Sequence, residues 1–484
     1  MNTLITPMML AAADAPVIKP SVELGTPLLL TIAAAGVALL LIMIIRFKIH
    51  AFVALLTVSI LVAVASRIPL ESIFTVVSTG VGGTMGKVAL LIALGAILGR
   101  MIEVSGGVQS LADHFTAKLG PKRVAVALTI VGFLVAIPVF FEVGVIVLVP
   151  IVYAFAKIAK VHPIKFGLPM AGIMLAIHVA VPPHPGIVAG AGVLGADVGL
   201  IMIISLIICV PLGFLSYWVS SIMNRKEFAL LPSVRAQVEE FGNPETLATS
   251  HKGTMAPPRP RLIISLIAAP IVLILAGTVG TMTLPKESFG HSVSAFVGNP
   301  FFALLVAVGL SFFTLAVRRG WSLQETSDIF EDALPPIASI LMIVAGGGIF
   351  GTVLQVSGIG GALSKTLDGW GVPILLLGFI ISLALRAAQG SATVAIVTTT
   401  GLLSSAILSG GYTPLQIAVI TVAIGFGSLG LSHVTDAGFW VVVRYYGLTV
   451  ADGLRTWTVL TTLLGLAGFA LTFVAWIFVG GLST

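Results

Sequence analysis

Long apolar runs, cut by glycine, proline and short charged clusters, fill most of this chain. A helix rises about 1.5 Å per residue, so roughly 20 apolar residues cross the ~30 Å of hydrocarbon in a bilayer. On that measure the pattern predicts about fourteen helical segments. They lie near residues 28–45, 51–66, 87–103, 123–141, 143–159, 167–181, 200–222, 262–280, 301–317, 336–355, 373–389, 393–409, 414–431 and 457–480. Several are short or broken, so the expected fold is an all-α polytopic membrane protein with about 10–14 membrane segments.

Composition agrees with the pattern. Of 484 residues, 57% are hydrophobic and 9% charged, against about 25% charged in soluble domains; the mean hydropathy is +1.13. The lipid bilayer is therefore the first partner. The net charge of +6 does not indicate nucleic acid, because the basic residues sit in short loops between apolar runs, where they set membrane orientation. The single cysteine, Cys209, lies in an apolar run, so neither a disulfide framework nor a thiolate metal site is expected. No metal or cofactor motif is present, and the absence of HExxH or a nucleotide-binding loop argues against an enzyme. The N-terminal MNTLITPMMLAAADAP lacks the positive start of a secretory signal and reads as a lead-in.

One long polar connection, Asn224 to Arg261, divides the chain into halves that resemble each other. LGAILGRMIEVSGG from Leu94 lines up with GGGIFGTVLQVSGI from Gly346, FVALL from Phe52 with FFALL from Phe301, and His184 and Gly186 with Asp436 and Gly438. A spacing held near roughly 250 residues is what a duplicated transport unit shows. The resulting organisation is a lead-in over 1–27, a first helix over 28–45, a first repeat unit over 46–222, a linker over 223–261, a second repeat unit over 262–456, and a last helix with the C-terminus over 457–484. Loop charges predict that the two units are inverted. Arg46 and Lys48, then Lys118, Lys122 and Arg123, then Lys157, Lys160 and Lys165 mark cytoplasmic loops in the first half. Their counterparts pair Lys286 with Glu287 and Lys365 with Asp368, whereas Arg318, Arg319, Arg444 and Arg455 fall in the alternate loops. On this reading the linker is cytoplasmic and both termini are periplasmic.

Four stretches break the apolar pattern: AIPVFFEVG (Ala136–Gly144), HVAVPPHPG (His178–Gly186), RAAQGSATV (Arg386–Val394) and LSHVTDAGFW (Leu431–Trp440). Backbone freed by a break in hydrocarbon must face protein or a water-filled cavity, and interrupted helices in inverted repeats are the signature of secondary transporters. A charge at the membrane centre costs about 2.5–3.5 kcal/mol even on insertion scales, so it needs a partner or a path for water. Arg386 has no acidic neighbour in sequence. Its planar fork suits a substrate carboxylate, the alternative being an ion pair with Glu142 or Asp436. Gln389, Gly390, Ser391 and Thr393 offer amides and hydroxyls for a carboxylate or polyol, and Ser432, His433 and His184 complete the expected substrate-binding set. Glu142, Asp436 and His178 are the candidates for carrying a coupled proton.

IPVFFEVGVIVLVP, VPPHPG, GSATVA and SHVTDAGFW, together with the loop layout, resemble the gluconate permease family of bacterial inner-membrane symporters, from about residue 28 onward. The resemblance implies proton symport of gluconate or related sugar acids, or for some members D-serine or similar hydroxy acids, by a protein with inverted repeats and re-entrant hairpins. The family commonly has Asp in the FFDVG motif where this chain has Glu142. Physics accords with symport: an inside-negative potential opposes entry of a monoanion by ~2.3 kcal/mol per 100 mV, and one accompanying proton cancels that cost. Sodium coupling and a channel are the competing transport readings, and homo-oligomerisation is left open.

Overall fold

The computed structural model describes residues 18–226, 228–231, 234, 235, 238, 239, 256–362, 366 and 373–481. Lys365 and Asp368, the lead-in up to residue 17 and most of the linker lie outside the described residues. Among the described residues every regular element is helical: α1 (Thr26–Ile45), α2 (Ala51–Ala65), α3 (Leu70–Val104), α4 (Gly107–Leu119), α5 (Val124–Val135), α6 (Phe141–Ala159), α7 (Ile164–Ala180), α8 (Pro185–Leu194), α9 (Val198–Met223), α10 (Pro260–Thr283), α11 (Phe289–Val297), α12 (Pro300–Ser311), α13 (Leu323–Ala333), α14 (Pro335–Val356), α15 (Ile374–Gln389), α16 (Ala392–Ser409), α17 (Pro414–Gly427), α18 (Ala437–Tyr445) and α19 (Val459–Gly481), with short 3₁₀, π and single-turn pieces between some of them. Ten helical stretches are long and apolar enough to cross a membrane, and the protein is a multi-pass membrane protein.

The sequence locates these helices well and their ends less well. The segment expected over 87–103 is the second half of a single helix, α3, that begins at Leu70. Its 35 residues give a length of about 52 Å, more than the hydrocarbon thickness, so it is tilted or extends beyond the hydrocarbon layer. The segment expected to reach residue 431 stops at Gly427. Helix starts follow ordinary capping chemistry: the Asp197 side chain accepts from the Leu200 amide, and Thr413 with Gln416 forms a capping box on α17. The VSG triplets noted above end α3 and α14 in the same way, each with its glycine in the left-handed region, Gly106 at φ 77° and Gly358 at φ 79°.

The basic loops are tied together on one face. Arg319 donates to the carbonyls of Ser105 and Ala256, each at 2.9 Å. Lys157 donates to the Glu239 carbonyl at 3.0 Å, the Leu231 amide to the Gly447 carbonyl at 3.3 Å, and Arg100 pairs with Asp332 at 3.5 Å. At the opposite end the Ser21 amide donates to the Arg67 carbonyl at 2.8 Å, and Tyr412 packs on Trp476 with ring centroids 5.9 Å apart.

Against this frame α5 and α6 form a hairpin that starts and ends at the basic face, and α15 and α16 form one that starts and ends at the other. Their turns, near Ala136–Phe140 and Gly390–Ser391, lie inside the protein. Two crossings are interrupted at similar depth: α7 gives way to α8 across Val181–His184, and α17 to α18 across Ser428–Asp436. The largest buried cluster gathers around α5–α9 and α18–α19, a second joins α1, α2, α3 and α14, and a third joins α15–α17. Outward-facing Phe74, Phe214 and Trp218 supply the apolar surface a bilayer covers.

Each interruption frees peptide groups, and side chains take up four of the carbonyls. Ser205 on α9 donates to the Ala180 carbonyl at 2.7 Å. His184 bonds the Ala136 carbonyl at 2.5 Å, Arg386 donates to the Gly390 carbonyl at 2.6 Å, and Thr458 to the Ser432 carbonyl at 2.6 Å. At Gly390, φ is +85° and an added Cβ would run into the Thr435 carbonyl, so the tip of the second hairpin touches the second interruption only because no side chain intervenes. Gly390→Val is expected to lower stability by roughly 2–5 kcal/mol from left-handed strain plus overpacking. A thermal melt of the purified protein in detergent checks this, with Gly82→Ala on open α3 surface as a control that melts at or above the wild-type temperature.

Candidate functional site

The two interruptions and the two hairpin tips converge, and the charged residues of the apolar interior lie where they meet. Arg386, in the last turn of α15, is 2% exposed, and Asp436, the N-cap of α18, is 5% exposed. They form a buried ion pair through the arginine Nη2 and Oδ2 of the aspartate. Each charge is held from several sides. The Arg386 Nη1 donates to the carbonyl of Gly390, at the negative end of its own helix. The other Asp436 oxygen, Oδ1, accepts from the Gly438 amide at 3.0 Å, and the Ser432 hydroxyl donates to Oδ2. Trp457 donates its indole N–H to the Ser432 oxygen at 2.7 Å. The Arg386 Nε has no hydrogen-bond partner among the described residues.

Sequence reasoning left two options for Arg386, a substrate carboxylate or an ion pair with Glu142 or Asp436; here the partner is Asp436. A buried pair with its remaining hydrogen bonds made can be held in an apolar interior, whereas removing one partner strands the other at a cost of about 3–5 kcal/mol. Glu142, in the first turn of α6, lies within electrostatic reach of both Asp436 and Arg386. Its neighbour Phe141 stacks on Trp457 at a centroid distance of 5.6 Å, which ties the first hairpin to the start of α19.

A second cluster adjoins the first. The rings of His178 and His184 lie 4.5 Å apart between centroids, and Phe140 meets both edge-on at 6.3 and 6.0 Å. His184 is committed to the Ala136 carbonyl, while the His178 Nδ1 is buried without a partner among the described residues. His178 is within electrostatic reach of Arg386, so the two clusters form one polar region.

The remaining predicted residues sit at its edge. Gln389 donates to the Ser391 carbonyl at 2.9 Å, and the Ser391 hydroxyl caps α16 by accepting from the Val394 amide at 3.3 Å. Thr393 faces α8 beside Gly186. His433 contributes its carbonyl, accepting from the Asp436 amide at 2.8 Å. Trp457, Thr458 and Ser205 escaped the sequence reading. Only Trp457 carried a signal: a tryptophan opening an apolar run has an N–H that a dry interior must satisfy. No group of three or more metal-ligating side chains occurs among the described residues.

A polar centre of this kind, enclosed by interrupted helices in a membrane protein, is suited to holding a small anion and a proton out of contact with lipid. Comparison with known proteins agrees in kind. The chain is 51% identical to the inner membrane permease YgbN of Escherichia coli (strain K12) over 453 residues, covering 94% of this chain and 99% of that one. It is 33% identical to the high-affinity gluconate transporter of the same organism over 439 residues, covering 91% and 97%. Among solved structures it resembles MtrF of Neisseria gonorrhoeae, described as belonging to a class of antimetabolite efflux pumps, with a TM-score of 0.60 at 14% identity over 83% of this chain and 84% of that one. The family described as GntP family permease matches residues 28–479, so this chain belongs to the GntP permease family and is a transporter, not an enzyme.

Proposed function

We propose that the protein imports gluconate or a closely related sugar acid across the bacterial inner membrane by proton symport, with alternating access between two inverted halves. The observation that carries this reading is the buried Arg386–Asp436 pair at the meeting point of two interruptions, with Glu142 in electrostatic reach. The names of the gluconate transporter and the inner membrane permease that the chain resembles supply the substrate class and the membrane. The shared helix stops at Gly106 and Gly358, one at the basic face and the other at the opposite end, support inversion. Gathering of the basic loops on one face supports a cytoplasmic linker and periplasmic termini.

Charge balance explains the coupling. Without substrate, Arg386 and Asp436 neutralise each other. An entering carboxylate that takes the guanidinium fork would leave the region with one excess negative charge, which is costly in a low-dielectric interior. A proton on Asp436, or on Glu142 where that carboxylate is ionised, offsets the added charge, with His178 and His184 available to pass it on. Substrate and proton therefore bind together more readily than either alone, which is the requirement for symport. The substrate hydroxyls have Ser391, Thr393 and Ser432 to bond.

Labelled gluconate should accumulate in liposomes containing the purified protein when an inward proton gradient is imposed, with no dependence on sodium. Uptake that requires sodium, or that ignores a protonophore, would contradict the coupling, and absence of gluconate uptake by folded protein would move the substrate to another small hydroxy-carboxylate. In the same assay Glu142→Gln should retain gluconate exchange while losing most gradient-driven accumulation, on the order of tenfold. Arg386→Lys, which keeps the charge and loses the bidentate fork, should raise the half-saturation concentration roughly tenfold, equivalent to ~1.4 kcal/mol. Accumulation intact in the first variant would transfer the proton to Asp436 or a histidine; unchanged affinity in the second would remove the carboxylate anchor.

A further inference from the structure

Between α6 and α18, which run side by side from the interruptions to the basic face, lies an open recess of about 890 Å³. This is within the ~300–1,000 Å³ of pockets that hold a small ligand, and because the recess is open to the outside we call it a vestibule. Ile146, one turn along α6 from Glu142, and Ala437, next to Asp436, belong to its wall. The vestibule thus runs along α18 from Ala437, the residue after Asp436, to the loop at the basic face.

Two further wall residues have chemistry that the central site does not use. Trp440 and Arg444 are one turn apart on the same face of α18 and both line the recess. The Trp440 indole N–H donates to the Val434 carbonyl at 2.9 Å, which fixes the ring. The Arg444 guanidinium carbon lies 5.6 Å from the centroid of that ring, within cation–π range. Among the described residues no acidic side chain pairs with Arg444, and it is exposed. A tryptophan and an arginine near a membrane surface commonly serve as anchors at the lipid interface. These two instead line a recess whose wall includes Ala437, the residue after Asp436, and a ring fixed beside a guanidinium with no acidic partner among the described residues matches both parts of an aldonate: the carboxylate takes the fork, and the C–H face of the carbon chain lies on the indole.

We propose that Trp440 and Arg444 form a second, weaker binding station for the sugar acid on the basic-face side of the Arg386–Asp436 site, which receives substrate as it leaves that site and sets the apparent affinity from that side alone. The proposal rests on the sugar-acid reading above. The station lowers the cost of moving an anion from the buried pair to water, because the carboxylate passes from one guanidinium to another with an aromatic surface between them.

The test is labelled-gluconate uptake by membrane vesicles of both orientations, right-side-out and inverted, containing the full-length protein. Arg444→Gln and Trp440→Leu should each raise the half-saturation concentration about fivefold or more in inverted vesicles, which present the basic face, and leave right-side-out vesicles within about twofold of wild type. Trp440→Phe, which keeps an aromatic face, should recover most of the loss, and Arg444→Lys, which keeps the charge without the fork, only part of it. Size-exclusion profiles of the purified variants establish that they are folded. Unchanged half-saturation in inverted vesicles would overturn the proposal, as would equal shifts from both sides or full recovery by Arg444→Lys, since those results describe an interfacial anchor. Wild-type vesicles that take up no gluconate in either orientation would overturn the sugar-acid reading itself and the station with it, a result distinct from every variant-specific one.

Discussion

A helix interrupted inside a membrane protein is tolerable only if every peptide group it frees finds a partner, and this requirement governs the centre of the molecule. Four carbonyls exposed by the two hairpin tips and the two broken crossings are each taken up by a side chain: Ala136 by His184, Ala180 by Ser205, Gly390 by Arg386 and Ser432 by Thr458. Two of the four donors, His184 and Arg386, are also residues with the chemistry to bind an anion or pass a proton. The groups that stabilise the interruptions and those that would handle substrate under the proposed function are partly the same, so a substrate that engages Arg386 would act on the breaks as well. A ligand that draws Arg386 away from Gly390 and Asp436 alters the hydrogen bonding of α15 and of α18 at once. That is the differential interaction a population shift between two conformations requires.

The ion pair at the centre sets the electrostatic terms. Its two charges are almost wholly removed from water, and its oxygens and most of its nitrogens are bonded. Such a pair is weak evidence for stability in general, since desolvation offsets much of the attraction. Its consequence under the proposed function is specificity of charge state: the pair itself contributes no net charge when empty, and an entering anion adds a charge that a proton would offset. The adjacent imidazole pair, one ring committed to Ala136 and the other with a nitrogen that has no partner among the described residues, extends the polar region toward the first hairpin.

Much of this was legible from residue order. Apolar runs bounded by Gly, Pro and charge placed fourteen of the nineteen helices α1–α19, because in hydrocarbon length and polarity dominate local preference; α4, α8, α11, α13 and α18, of 13 residues or fewer, are too short to stand out as spans. The four interruptions were visible as prolines, glycines and polar residues where a straight helix would have neither need nor tolerance for them. Arg386, Glu142 and Asp436 stood out because charge is rare in such surroundings. Two things were not legible. The full extent of α3 was hidden by the glycine- and hydroxyl-rich stretch from Leu70 to Gly86, which scores as a connection yet is helical where Gly80 and Thr84 pack closely against Gly348. The neutral partners Ser205, Thr458 and Trp457 look like ordinary residues of apolar helices until the fold brings them to a freed carbonyl or hydroxyl. The identity of Arg386's partner was undetermined for the same reason: pairing across 50 residues depends on which hairpin tip meets which interruption.

The account depends on substrate and proton entering one site as a neutral combination. The most direct measurement is the proton movement caused by substrate itself. Liposomes containing the purified protein, weakly buffered and carrying a pH-sensitive dye in the lumen, are given gluconate outside with no gradient imposed. The account predicts that the lumen acidifies, that the change saturates with gluconate concentration, and that an equal concentration of chloride has no effect. Gluconate entry that leaves the luminal pH unchanged would contradict it, because substrate would then be crossing without the proton that the buried charges demand.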